Sequence, residues 1–564
     1  MTVAAAVLVA PRRRSGEDFA MRAAILTLVA VLLVFIALPL ATLLLKSFQD
    51  ASGRFVGLAN YARYFTTPAL VASLWNSLAV AVLSTAIVVP LAFLYAWGLT
   101  RTLMPAKKLF VALALLPLFA PSLLPAISLI YIFGNQGFLK GWLFGASIYG
   151  PLGIVMAQIF YSFPHAVMIL ITAFSLADGR LYEAAAAMGT GRGRVFWTVT
   201  LPGVRYGLIS ALFVVFTLVI TDFGIAKVIG GQFNVLATDA YKQVVGQQNF
   251  EMGAVVGFIL LVPAVIAFAL DRQVQRRQVA MLSVRAVPFE PRPQPARDAS
   301  MAAYCAVFGG MIAAVLAVAV WGSFVTYWPY NLSLTLNNYD FETFEPNAAG
   351  PYFASLRMAT LAAIGGTAII FCGAYLIEKG RGWRAVRAIA QLFAMLPMAV
   401  PGLVLGLGYV FFFNARWNPL AALYGGILLL AINSIAHFYT TAHVTASTAL
   451  KQIDGEFEAV SASLKVPFYT TFARVTVPIC LPAIFDIGIY LFVNALTTVS
   501  AVIFLYSASS KLASISIVHM DEAGATAAAA AMATLIVLTA LAVKLLQLLA
   551  ERYLFGRLQV WRKR

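Results

Sequence analysis

Charge is scarce in this chain. Only 11% of its 564 residues are Asp, Glu, Lys or Arg, while 62% are hydrophobic. Soluble domains carry far more charge and fewer apolar residues, so an ordinary soluble globular protein is excluded. Cysteine is equally rare. Cys305, Cys372 and Cys480 fall in or beside apolar runs with no paired spacing, which leaves no disulfide framework or metal cluster and makes them read as small buried hydrophobes. The sequence has no G-x-x-x-x-G-K-[ST] phosphate loop, so this chain is not expected to hydrolyse ATP. Strand-like alternation is missing too, which disfavours a membrane barrel.

What the chain has is long apolar runs, with a mean hydropathy of +0.88. About twelve are long enough to cross the hydrocarbon of a bilayer as helices. Their expected spans are 21–45, 72–98, 109–134, 150–175, 205–229 and 252–270, then 301–326, 355–377, 388–412, 421–447, 479–505 and 525–549. The expected fold class is an all-α polytopic membrane protein. The N-terminal MTVAAAVLVAPRRRSGEDF puts its apolar residues ahead of its arginines, the reverse of a secretory signal, so the first span is expected to be retained. With the N-terminus inside, about three quarters of the 39 basic residues fall on the cytoplasmic side, as the positive-inside rule requires. The net charge of +17 then reflects topology and attraction to anionic lipid, not nucleic acid.

The chain also repeats itself. EAAAAMGTGRGRVFWTVTLP begins at Glu183 and ends at Pro202; EAVSASLKVPFYTTFARVTVP begins at Glu458 and ends at Pro478. At a constant offset Phe196 falls on Phe472, Pro202 on Pro478 and Asp178 on Asp454. A second echo follows the first and seventh spans, pairing Asn60-Tyr61 with Asn338-Tyr339 and Ser73-Leu74 with Ser355-Leu356. Self-similarity on this scale means one unit used twice. The expected units are 1–275, with a loop at 178–202, and 301–564, with a loop at 454–478. A basic stretch at 276–300, holding prolines 288, 291, 293 and 295, is expected to link them. Six spans per unit makes the duplication parallel, with both termini in the cytoplasm.

The repeated loop is expected to be a short helix, a turn and a second short helix. Its alanines with Glu183 favour the first helix. Gly189, Gly191 and Gly193 then supply the break, and Pro202 is expected to close the second helix. Such an element suits docking into another protein's groove, or lying on lipid. Here the chain resembles a known family. Glu183-Ala184-Ala185, Gly189 six residues after the glutamate, and Pro202 resemble the EAA loop of bacterial ABC importer permeases. The resemblance covers both units. It implies two tandem six-helix permease domains (type I, MetI-like) in the bacterial inner membrane, partnered by two ATPase subunits and an extracytoplasmic solute-binding protein. It also implies that this chain binds no cofactor, ATP and Mg being used by the ATPases. In the second copy Ala459 replaces the motif glutamate, although Glu458 stands one residue earlier, and Lys465 replaces the glycine. Both loops are expected to dock through these positions, Phe472 and Pro478 included, but unequally.

A finer resemblance is to the ferric-iron-type permeases, which include fused subunits. Within them, TDFGIAKVIGGQFNVLATDAYKQVVGQQNFEMGAVV at 221–256 is similar to importers of 2-aminoethylphosphonate. Ferric iron, a polyamine, thiamine or sulfate are the alternatives. Asp222 and Lys227 at the outer end of the fifth span, with Thr497 and Thr498 at the matching place in the eleventh, are the pathway candidates, since ionisable groups in a span are costly. The bland reading pairs Asp222 with Lys227. Asp486, His165, His437 and His443 read as structural, and prolines 117, 121, 125, 397 and 401 as kinks. An ion-coupled secondary transporter would also have twelve helices, but leaves the repeated loops unexplained.

Overall fold

The computed structural model describes residues 16–281, 287–343, 349–380 and 383–555. Arg12, Arg13, Arg14, Arg285, Arg381, Arg557, Arg562, Lys563 and Arg564, which enter the charge argument, lie outside these residues. Nine described helices are long and apolar enough to cross a membrane, and three bent helix pairs bring the spans to twelve. Before the connecting stretch they are Phe19–Ser47, Pro68–Arg101, Lys107–Phe119 with Leu123–Phe133, Pro151–Ser175, Arg192–Thr221 and Phe250–Gln275. After it come Pro295–Phe324, Gly350–Lys379, Arg384–Ala399 with Gly402–Phe413, Ile427–Lys451, Phe468–Ile479 with Leu481–Thr497, and Thr526–Tyr553. The chain is a nearly all-helical polytopic membrane protein, as its apolar runs imply.

Proline chemistry shapes the helices. The third span bends by 102° and the ninth by 116°. In each, the residue before a proline, Ala120 or Val400, is extended, because proline disfavours the α conformation in its predecessor. Elsewhere a proline is absorbed without a break. Five-residue π-turns at Leu33–Ala37, Phe196–Thr200 and Phe472–Thr476 each end two residues before a proline, at 39, 202 and 478. The wider turn accommodates a ring that would strike the carbonyl four residues back. Helix therefore runs unbroken from Arg192 to Thr221, and Pro202 does not close it as expected. In the second copy the bend comes after Pro478, 77° between Phe468–Ile479 and Leu481–Thr497.

The two groups of spans exchange their first helices. The first span lies against the eighth and ninth: the Phe35 and Phe413 rings stack at 5.9 Å, and Tyr409 donates to the carbonyl of Phe35. A Cβ at Gly408 would stand 2.7 Å from the Pro39 carbonyl oxygen, so only glycine permits that approach. Reciprocally, the seventh span lies against the second and third, with Tyr304 donating to the Leu91 carbonyl at 2.9 Å.

The second echo is real, with one pairing corrected. Asn60 donates to the carbonyls of Ser47 and Gln49 at 3.0 and 2.8 Å; Asn338 does the same to Ser323 and Val325 at 3.0 and 2.8 Å. Tyr61 bonds Ser47 at 2.7 Å and Tyr339 bonds Ser323 at 2.8 Å. The partner of Ser355, however, is Ser77 rather than Ser73. Ser355 accepts from the Ala513 N–H and Ser77 from the Leu236 N–H, at 2.8 and 2.7 Å. Each hydroxyl caps the first turn of a short helix from a distant span. Two features depart from expectation. Val325–Tyr327 and Asn331–Leu334 form an antiparallel hairpin, and Cys372 is exposed while Cys305 and Cys480 are buried. The stretch 276–300 is helical at both ends, since one helix runs to Met281 and the next begins at Pro295.

Candidate functional site: two repeated loops and a polar seam

The two loops share one backbone. Asp178 caps the helix Gly179–Ala187 by accepting from the Arg180 N–H at 3.0 Å. Asp454 accepts from the Glu456 N–H at 3.0 Å ahead of Glu456–Ser463. Both helices end in a Schellman turn, with Thr190 N–H to the Ala185 carbonyl and Val466 N–H to the Ser461 carbonyl, 3.0 and 2.9 Å. Its left-handed residue is Gly189, φ +63°, in one loop and Lys465, φ +55°, in the other. Only Gly189 of the three glycines has positive φ; Gly191 caps the next helix and Gly193 lies inside it. Lysine pays about 1 kcal/mol for a conformation glycine adopts freely.

Phe196 and Phe472 point inward. Phe196 meets Phe93 of the second span at 6.1 Å, and Phe472 meets Phe371 and Tyr375 of the eighth at 5.9 and 4.7 Å. Glu458 points inward as well, pairing with Lys379 at 3.0 Å with both side chains mostly covered. It stands at the place of Tyr182, not of Glu183, so it is no displaced motif glutamate. Arg101, which ends the second span as Lys379 ends the eighth, lies over the Tyr182 ring at 5.2 Å. Glu183 and Ala184 are exposed, as is Ala459; Ala185 is buried.

Sequence reading missed the outward face. Leu181 and Met188 are 53% and 75% exposed, and their counterparts Phe457 and Leu464 are 47% and 70% exposed. With Ala184 and Val460 between them, they form an apolar stripe at i, i+3 and i+7 on each first helix. In the second loop this stripe edges a groove that continues past Val466 and Thr470 to Arg474. The spacing was visible in the sequence but was outshone by the alanines and glycines.

The pathway candidates separate. Asp222 and Thr498 are equivalent C-caps, extended at φ −72° and −69°, and Thr221 and Thr497 each bond the carbonyl four residues back. Asp222 accepts from Gln158 at 3.1 Å and from the Ile225 N–H at 2.9 Å. It does not pair with Lys227. Lys227 instead forms an ion pair with Glu522, from the short helix Ala513–Glu522 of the other group of spans, and lies 4.7 Å over the Tyr241 ring. Tyr241 in turn stacks on Phe504 at 6.2 Å. Beside Glu522, burial pushes the Asp521 carboxyl up to about 6, the like charge of Glu522 adding and Lys227 opposing. Asp486 accepts from Gln547 and His443 bonds Gln391 at 2.9 Å.

Residues 88–279 match the family of binding-protein-dependent transport system inner membrane components. The ferric transport system permease protein FbpB of Actinobacillus pleuropneumoniae is 25% identical over 94% of this chain and 78% of its own length. The chain is thus similar to importer permeases over most of its length. The ferric transport system permease protein FbpB 1 of Haemophilus influenzae is 26% identical over 88% of this chain and 79% of its own length. The molybdenum transport system permease protein ModB of Mycobacterium bovis is 28% identical over 42% of this chain and 87% of its own length.

Proposed function

We propose that this permease forms the translocation pathway of an ATP-driven importer, each repeated loop docking one ATPase subunit at the cytoplasmic face. A solute-binding protein would deliver cargo to the loops on the opposite face, within 46–70, 230–251 and 327–354. The observation that carries this reading is the exposed apolar stripe, present at matching positions in both loops and set on helices whose caps, turns and inward anchors are also matched. Such a stripe on a short helix fits a hydrophobic groove. Closure of the ATPases on ATP would draw the loops together and part the seam where Lys227 meets Glu522; hydrolysis would reset it. Reconstitution with the ATPase tests this directly: uptake should require ATP and survive collapse of ion gradients. Uptake that follows the gradient instead would make the protein a secondary transporter.

For the solute we read 2-aminoethylphosphonate. The seam offers an ammonium, Lys227, beside the carboxylates Glu522 and Asp521, a set able to answer both ends of a zwitterion. The similarity to ferric permeases over most of the chain favours ferric iron as the second reading. Measuring which of the two the partner binding protein retains decides between them and leaves the importer reading standing.

A further inference from the structure

Residues 287–289, between the two groups of spans, lie on the first repeated loop. The Val287 carbonyl accepts from the Gly179 N–H at 2.8 Å, and the Val287 N–H reaches Asp178 Oδ1 at 3.3 Å. Two residues on, the Phe289 ring sits 4.6 Å from that of Tyr182. The Arg101 guanidinium, 4.5 Å over Phe289 and 5.2 Å over Tyr182, is held by its bond to the Phe174 carbonyl at 2.8 Å. A Cβ at Gly179 would come within 3.0 Å of the Pro288 carbonyl oxygen and 3.1 Å of Phe289 Cα. Beyond, Arg297 donates to the Arg292 carbonyl at 2.7 Å and Gln294 N–H to Asp298 at 3.1 Å, which ties the stretch to the head of the seventh span.

Among the described residues no segment from between the two groups of spans lies on the second loop in this way. Gly455, the counterpart of Gly179, has open space where its Cβ would be. There Lys379 takes the place of Arg101 and pairs with Glu458, a bond made within its own group of spans. The first loop has tyrosine where the second has that glutamate, and among the described residues Arg101 meets aromatic rings rather than a carboxylate, one of them supplied by Phe289.

We propose that 287–289 is a strap that positions the first loop's helix, with Phe289 and Arg101 as its positioning residues, so that movement of this loop is passed directly to the seventh span. The proposal rests on reading the loops as ATPase docks. In a chain with its native cysteines replaced by alanine, Tyr182→Cys with Phe289→Cys should form a disulfide in membranes far faster than Phe457→Cys with Phe289→Cys. In the reconstituted importer, Phe289→Ala should lower solute moved per ATP by about fivefold, while Phe289→Tyr restores it and ATPase binding is unchanged. Equal crosslinking in the two pairs, or a wild-type transport ratio in Phe289→Ala, overturns the strap. A wild-type protein lacking ATP-dependent uptake sinks the importer reading instead, and the crosslink still decides whether the strap exists.

Discussion

The loops at 178–202 and 454–478 have the same backbone and different chemistry. Aspartate caps, Schellman turns, inward phenylalanines and π-turns recur at matched positions. What differs is how each is fastened: an aromatic stack around Arg101 in one, an ion pair from Lys379 to Glu458 in the other. Most of the retained residues therefore build the loop rather than touch a partner. The surface left for a partner is the apolar stripe, with Glu183 beside it in the first copy alone.

That comparison breaks most sharply at the fastenings. Lys379→Ala should remove the ion pair to a largely covered Glu458 and cost about 3 kcal/mol, seen as a lower melting temperature, whereas Glu183→Gln should leave melting unchanged. Next come the stripes. Met188→Asp or Leu464→Asp should each weaken ATPase binding by about 2 kcal/mol, the worth of one buried apolar side chain, with equal losses if the stripes are equivalent docks. Glu183→Ala should reduce ATP-coupled uptake by about tenfold, as loss of a charge-assisted bond would, and more than Lys465→Ala does. Equal defects would mean the loops contribute alike. The turns give the smallest effect and opposite signs: Lys465→Gly should stabilise by about 1 kcal/mol and Gly189→Lys destabilise by as much, read by melting.

Span number and the repeat were legible because apolar length and a constant offset survive without knowledge of packing. The caps were half legible: Asp178 and Asp454 stood out as a retained pair, but not as N-caps. Ser77 was hidden because Ser-Leu occurs twice, at 73–74 and 77–78, and only the second keeps the offset that pairs Asn60 with Asn338. Glu458 misled for a plain reason. Adjacent helix positions face different ways, so a glutamate moved by one residue turns from the partner toward Lys379. Lys227 was recognised as unusual, but its partner, Glu522, lies on the other group of spans, and no local pattern announces such a pair. The exchange of first helices is invisible for the same reason. The hairpin at 325–334 is short and flanked by aromatics, which leaves too few alternations to read.

The account turns on the claim that both loops receive an ATPase subunit through their stripes. Native mass measurement of the purified protein with the proposed ATPase tests it most directly. Two ATPase copies per wild-type chain, falling to one in either Met188→Asp or Leu464→Asp and to none in the double variant, is the predicted result. Two copies retained by the double variant would contradict it.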